Sequence, residues 1–214
     1  MTGKFRLWAV DADRVLELFA APPALAERLR QITRDRFALA PPRHPPKFGP
    51  LLRRSASIPR LPAGQPTPLD AETLFQGRFV SPDRLAPSWA LLEAWLDELF
   101  LGAALSLTSA SLDQLDFDLA RVGVSSSLCL RGLLRHRLDL PLTAPPGRVV
   151  GSVTPERAAA LHEAWAEHWV NLEPGTAETL GPVRQFLDDH LEWRRTGLVV
   201  SWEAPNAGQK AGSF

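Results

Sequence analysis

The sequence predicts an α+β protein: one mostly helical domain with a small sheet. Three observations carry this. Apolar residues recur at steps of three and four, as in Trp89, Leu92, Trp95, Leu96 and Leu99, which lines one face of a 3.6-residue helix. Three short runs, Phe5 to Val10, Val149 to Val153 and Leu198 to Trp202, alternate or are β-branched and read as strands. Prolines and glycines stand at the junctions, at Pro22-Pro23, Gly77, Gly102, Gly123 and Gly197.

Taken in order, Phe5 to Val10 opens the chain as a strand, and Asp11 or Asp13 is placed to cap a short helix through Phe19. Ala24 to Phe37 is a second helix, with Leu25, Leu29 and Ile32 along one side. The stretch from about 40 to 68 then holds nine prolines and no sustained period, which predicts a mobile insertion. Asp70 to Gln76 gives a helical turn or two. Ser88 to Leu101 is the most apolar helix, expected at the centre of the core and ended by Gly102. Ala104 to Thr108 fits either a strand or a connection. Ser111 and Gln114 have capping-box spacing ahead of the Leu112, Leu115, Leu119 stripe. The carboxylates Asp113, Asp116 and Asp118 are expected near that helix start, where the dipole favours them. A helix over Ser127 to His136 follows. Thr154-Pro155 caps the next one, with Ala158, Leu161, Trp165 and Trp169 on one face. A last helix runs from Pro182 to about Arg195, and Thr196-Gly197 stops it in left-handed geometry before the final strand.

At 214 residues the chain can bury roughly 70% of its unfolded surface. Residues 1–203 read as a single domain and 204–214 as a disordered tail. No apolar run approaches the ~20 residues that span a bilayer, and the N-terminus lacks the apolar core of a signal peptide. A lone cysteine, Cys129, cannot form an internal disulfide and suits a reducing compartment. The expectation is a cytoplasmic protein.

The formal net charge is +0, but the charges are segregated. Nine basic residues lie between Arg28 and Arg60 against Asp35 alone, and eight acids lie between Thr154 and Glu192 against Arg157 and Arg184. Such blocks either neutralise each other within the fold or each meet a partner.

Motif chemistry is sparse. His-Glu-x-x-His and Cys/His pairs at zinc spacing are missing, as are nucleotide-binding glycine signatures and the Gly-x-Ser-x-Gly elbow. No metal, cofactor or catalytic residue is therefore expected. Cys129, between two leucines, reads as a structural thiol. His162, His168, Trp169 and His190 border apolar stripes and are the weak pocket candidates.

The segments "VGSVTPERAAALHEAW" (150–165), "VRQFLDDHLEWRRTG" (183–197) and "LVVSW" (198–202), with "RFVSPDRLAPSWALLEAWLDELF" (78–100) upstream, resemble the YfbM-like group, bacterial proteins of uncharacterised function. The resemblance covers about residues 80–203 and implies a short cytoplasmic chain. The group has no agreed catalytic residues, so none is implied here.

Function is expected to be non-enzymatic: a protein-interaction module of the kind that neutralises a basic partner, as immunity proteins do. Its interaction candidates are Glu156, Glu163, Glu167, Asp188, Asp189 and Glu192. The alternatives are an enzyme with a site near the C-terminal helices, or nucleic-acid binding through residues 28–60.

Overall fold

The structure, a computed structural model, describes residues 2–37, 64–189 and 196–205. Four strands, β1 (Gly3–Ala9), β2 (Gly102–Leu107), β3 (Arg148–Val153) and β4 (Leu198–Glu203), form one sheet. Their order is β2-β1-β4-β3, with every neighbouring pair antiparallel. The first and last strands are thus the central ones, paired from Lys4↔Glu203 to Ala9↔Leu198.

Helices cover both faces. Between β1 and β2 come α1 (Ala12–Leu16), α2 (Pro23–Phe37), α3 (Pro68–Phe75) and α4 (Leu85–Leu99). They pack on the face that receives Trp8, Val150 and Val199. After β2 come α5 (Ser109–Arg121) and α6 (Leu130–Leu133). After β3 come α7 (Pro155–His168) and α8 (Pro174–Asp189). These four close the other face over Phe5, Leu7, Leu105, Val153, Leu198 and Val200. A strand's side chains alternate between faces, so successive residues of β4 serve opposite cores. That is why its sequence reads as a continuous apolar run rather than as an alternation.

The mostly helical α+β domain and its three expected strands are present, and β2 settles the ambiguous stretch at 104–108 as an edge strand. α4 is central as expected: Trp89, Leu91, Leu92, Trp95 and Leu96 are all buried. Buried indole N–H groups need acceptors, and four have them. Trp8 donates to Asp97 (2.9 Å), Trp89 to the Thr143 carbonyl (2.8 Å), Trp95 to Thr33 (2.9 Å) and Trp165 to the Leu128 carbonyl (3.2 Å).

Several local expectations change. Thr108, not Ser111, caps α5, its hydroxyl accepting from the Ser111 N–H at 2.9 Å. The three aspartates consequently lie further along the helix than the dipole argument placed them. Asp113 pairs with the Arg131 side chain, Asp116 accepts from the Arg131 N–H, and Asp118 is buried. The helix expected over 127–136 shrinks to α6. Arg157 takes the Ser127 and Gly132 carbonyls, and 136–138 turn away to bond β3, through Ser152 N–H to His136 O (2.8 Å) and Leu138 N–H to Val150 O (3.2 Å). α8 begins at Pro174, with Pro182 inside it. Pro182 is exposed, so its ring faces water rather than a packed neighbour.

Gly102 belongs to β2 rather than to a helix end, and a Cβ there would come 2.7 Å from the Leu7 carbonyl. Gly197 is likewise not left-handed. A Cβ there would sit 2.5 Å from the Val153 carbonyl, and its N–H donates to the Asp11 carboxylate at 2.6 Å. Asp11 stands at the α1 N-cap position but makes no side-chain cap bond.

The proline-rich stretch ends earlier than its composition suggests. Pro66 and Thr67 are buried, and Thr67 and Asp70 form the capping box of α3. Asp70 in turn pairs with Arg84. The rest of the expected mobile insertion, 40–63, lies outside the described residues. At the C-terminus, Ala204 donates to the Gly147 carbonyl at 2.8 Å and packs on the core, so the folded chain extends past the expected boundary at 203; residues 206–214 lie outside the description.

Candidate functional site

The sequence-derived candidates fall on α7 and α8. Glu156, Glu163 and Glu167 are spaced by seven and four, which places them on one side of α7, and all three are exposed. Val170, 84% exposed, lies just beyond. Glu178 and Asp189 are exposed on α8. The Glu156 carboxyl is held below its ordinary range by its own backbone N–H and the Thr154 hydroxyl. This is the expected behaviour of an acid in a first helical turn.

Asp188 differs from the rest. It accepts from Arg184 Nε at 2.8 Å and lies 2.9 Å from His162 Nε2. Burial alone would raise its pKa, but the hydrogen bonds with His162 and Arg184 outweigh burial and hold the carboxyl low. The Arg184 guanidinium also lies 5.7 Å from the centre of the Trp169 ring, which stacks on Trp165 at 6.3 Å. The fold therefore brings His162, Asp188 and Trp169 together through an arginine that sequence reasoning passed over. His168 stands apart, its ring against Gly123. His190 and Glu192 lie outside the described residues.

The His162–Asp188 pair alone does not make a catalytic device. Among the described residues no hydroxyl or thiol bonds to the ring's other nitrogen. Cys129 is buried, and burial pushes its thiol up to about 11, so it is no nucleophile at neutral pH. Among the described residues no group of three or more His, Cys, Asp or Glu could hold a metal ion.

The described arginines of the basic block lie on the opposite face of the sheet, on α2. Arg30 is held by Glu72 (2.6 Å) and Glu27 (3.3 Å), and Arg34 by Glu27 (2.9 Å). These bonds keep Glu72 and Glu27 below the ordinary carboxylate range. Arg30 and Arg34 thus find their counterions in their own layer. Among the described residues no cation pairs with Glu156, Glu163, Glu167 or Asp189.

A second polar assembly, between α4 and the sheet, went unnoticed in the sequence. Arg148 reaches Glu93 and Glu203, each at 2.7 Å, and its guanidinium lies over Trp89 at 5.2 Å. Arg6 reaches Asp97 at 3.0 Å and Glu93 at 3.7 Å. Beside it the loop 137–147 encloses a cavity of about 460 Å³ with Trp89, Arg148 and Val150 in its wall. The signal was present: Trp89, Glu93 and Asp97 recur every four residues on a mostly apolar helix, and strand period two puts Arg6 on the face of Trp8 and Val10. All five charges are spent on each other, so the assembly fastens α4 to three strands.

The fold and these surfaces define a helix-covered antiparallel α+β domain with an acidic outer face. No protein-family model, no curated protein and no solved structure matches the chain. Among the described residues no helix is long and apolar enough to cross a membrane.

Proposed function

We propose that this protein is a non-enzymatic interaction module that holds a basic protein partner on the acidic α7–α8 face, in the manner of an immunity-type neutraliser. The observation that supports it is the separation of charge across the sheet. Glu156, Glu163, Glu167 and Asp189 are exposed without a cation among the described residues, while Arg30 and Arg34 of α2 pair within their own layer. Like charges gathered on one face repel each other and gain from a basic surface brought against them.

The test reverses Glu163, Glu167 and Asp189 to Lys together. The variant should keep the parent's thermal midpoint but lose capture of a basic protein from lysate of the source cell. A control reversing Asp13, Asp83 and Glu98, exposed on the other layer, makes the same change in net charge and should capture normally. Capture by the parent should weaken steeply between low and physiological salt, because exposed charges are screened over ~8–10 Å. Equal capture by parent and triple variant would overturn the reading, and so would equal loss in the control.

A further inference from the structure

A recess of about 580 Å³ opens where the first turns of α5 and α8 meet β2. We propose that it is a binding site for a neutral polyhydroxylated molecule, a mono- or disaccharide. Its polar wall is Ser106, Ser111, Gln114, Asp118, Thr176 and Thr179, and Leu107 and Leu115 give it an apolar floor. Among the described residues its lining has no lysine, arginine, histidine or aromatic side chain.

Three ligand classes are disfavoured by this chemistry. An anion would meet the Asp118 carboxylate, which is 4% exposed and forms part of the wall. A cation would face the starts of two helices, where the dipole is positive. An apolar molecule would cover the Gln114 carbonyl and the free N–H groups at the two helix starts without giving them partners.

A saccharide needs donors and acceptors close together over an apolar surface, and the recess supplies both. Thr176 Oγ1 donates to Asp118 Oδ2 at 2.7 Å and Gln114 Nε2 donates to Asp118 Oδ1 at 3.0 Å. This leaves the Gln114 carbonyl and the remaining carboxylate lone pairs as acceptors. Arg121 lies 3.7 Å from Asp118 Oδ1, but its hydrogen bond goes to Glu173 at 2.6 Å, so the Asp118 carboxylate keeps its negative charge in the wall. The N–H groups of Ala110 and Gly175, in helix first turns, have no intrahelical partner and serve as donors. Thr179 donates to the Gly175 carbonyl at 2.8 Å, which keeps its oxygen available to accept. The volume lies within the ~300–1,000 Å³ typical of small-molecule sites.

Gly175 makes the idea testable. A Cβ there would meet nothing within 4 Å, and its φ lies outside the left-handed range. A large side chain can therefore be placed at the mouth without disturbing the fold. Amide ¹H–¹⁵N spectra of the full chain are recorded during titration with glucose, galactose and maltose, and separately with inorganic phosphate and ethylammonium. We expect saturable shifts from at least one saccharide, clustered at Ser111, Gln114, Gly175 and Thr176, with no such cluster for the two ions. Gly175→Phe should weaken that saccharide at least tenfold with an unchanged thermal midpoint, and Gln114→Leu should weaken it independently. Shifts from phosphate alone would overturn the proposal in favour of an anion site. No clustered shift from any saccharide, or binding unaffected by both variants, would overturn it outright. Neither result bears on the acidic face, whose test changes none of these residues.

Discussion

Glu93 is bracketed by two guanidinium groups, 2.7 Å from Arg148 and 3.7 Å from Arg6, and is largely buried between its own helix, α4, and the sheet. Burial raises its pKa above the ordinary 4.5, with the arginines pulling the other way. A carboxyl with a raised folded value takes up its proton more readily folded than unfolded. Its contribution to stability is therefore full below pH 4.5 and is lost as pH rises through the raised folded value. Glu93→Gln removes this titration while leaving every other carboxyl in place. Urea denaturation should show the cost of the substitution to be greatest near about pH 4 and smaller by about pH 7. A cost that grows with pH would mean that the arginines, not burial, govern the group.

At the scale of the element, α4 shows how a helix is assigned to the core by its apolar width. Leu91 and Leu92 are fully buried and Leu96 is 2% exposed, and Phe75 stacks on Trp95 at 5.2 Å. Leu96→Ala should cost ~2–5 kcal/mol in chemical denaturation, the lost transfer energy plus the cavity left behind. A change below ~0.5 kcal/mol, the range of surface substitutions, would place the helix outside. α7 was legible for the same reason: Ala158, Leu161 and Trp165 are buried at helical spacing, and Thr154 caps it by accepting from the Arg157 N–H. α6 was not legible, because its leucines have helical spacing while its flanking carbonyls are claimed by Arg157 and by β3. Those partners lie 15 or more residues downstream in sequence, beyond any local pattern.

At the scale of the molecule, one sheet joins two cores. Val199 faces one and Val200 the other, so neither core survives if β4 leaves. Unfolding should therefore be a single transition, with far-ultraviolet and near-ultraviolet circular dichroism giving the same midpoint. Leu96→Ala on one face and Leu161→Ala on the other should each lower that shared midpoint. Separate midpoints, or a variant that moves only one probe, would show the two helical layers to be independent units.

Local chemistry alone determined the class of the domain, its three apolar strands, the buried faces of α2, α4, α5 and α7, and the absence of familiar catalytic signatures. Each of these depends on spacing within about fifteen residues, where side-chain period and backbone preference act directly. The carboxylates of α7 were also named from sequence, but whether the α2 arginines neutralised them could not be. That depended on which side of the sheet each helix occupies, and a helix's own period says only that it has a buried face, not which sheet face it covers. The same limit hid the Arg6–Glu93–Arg148 assembly, the Asp118 recess and the close approaches at Gly102 and Gly197. Their partners are distant in sequence, and only the pairing of β1 with β2 and β4 and of β3 with β4, with the helices packed on that sheet, brings them together.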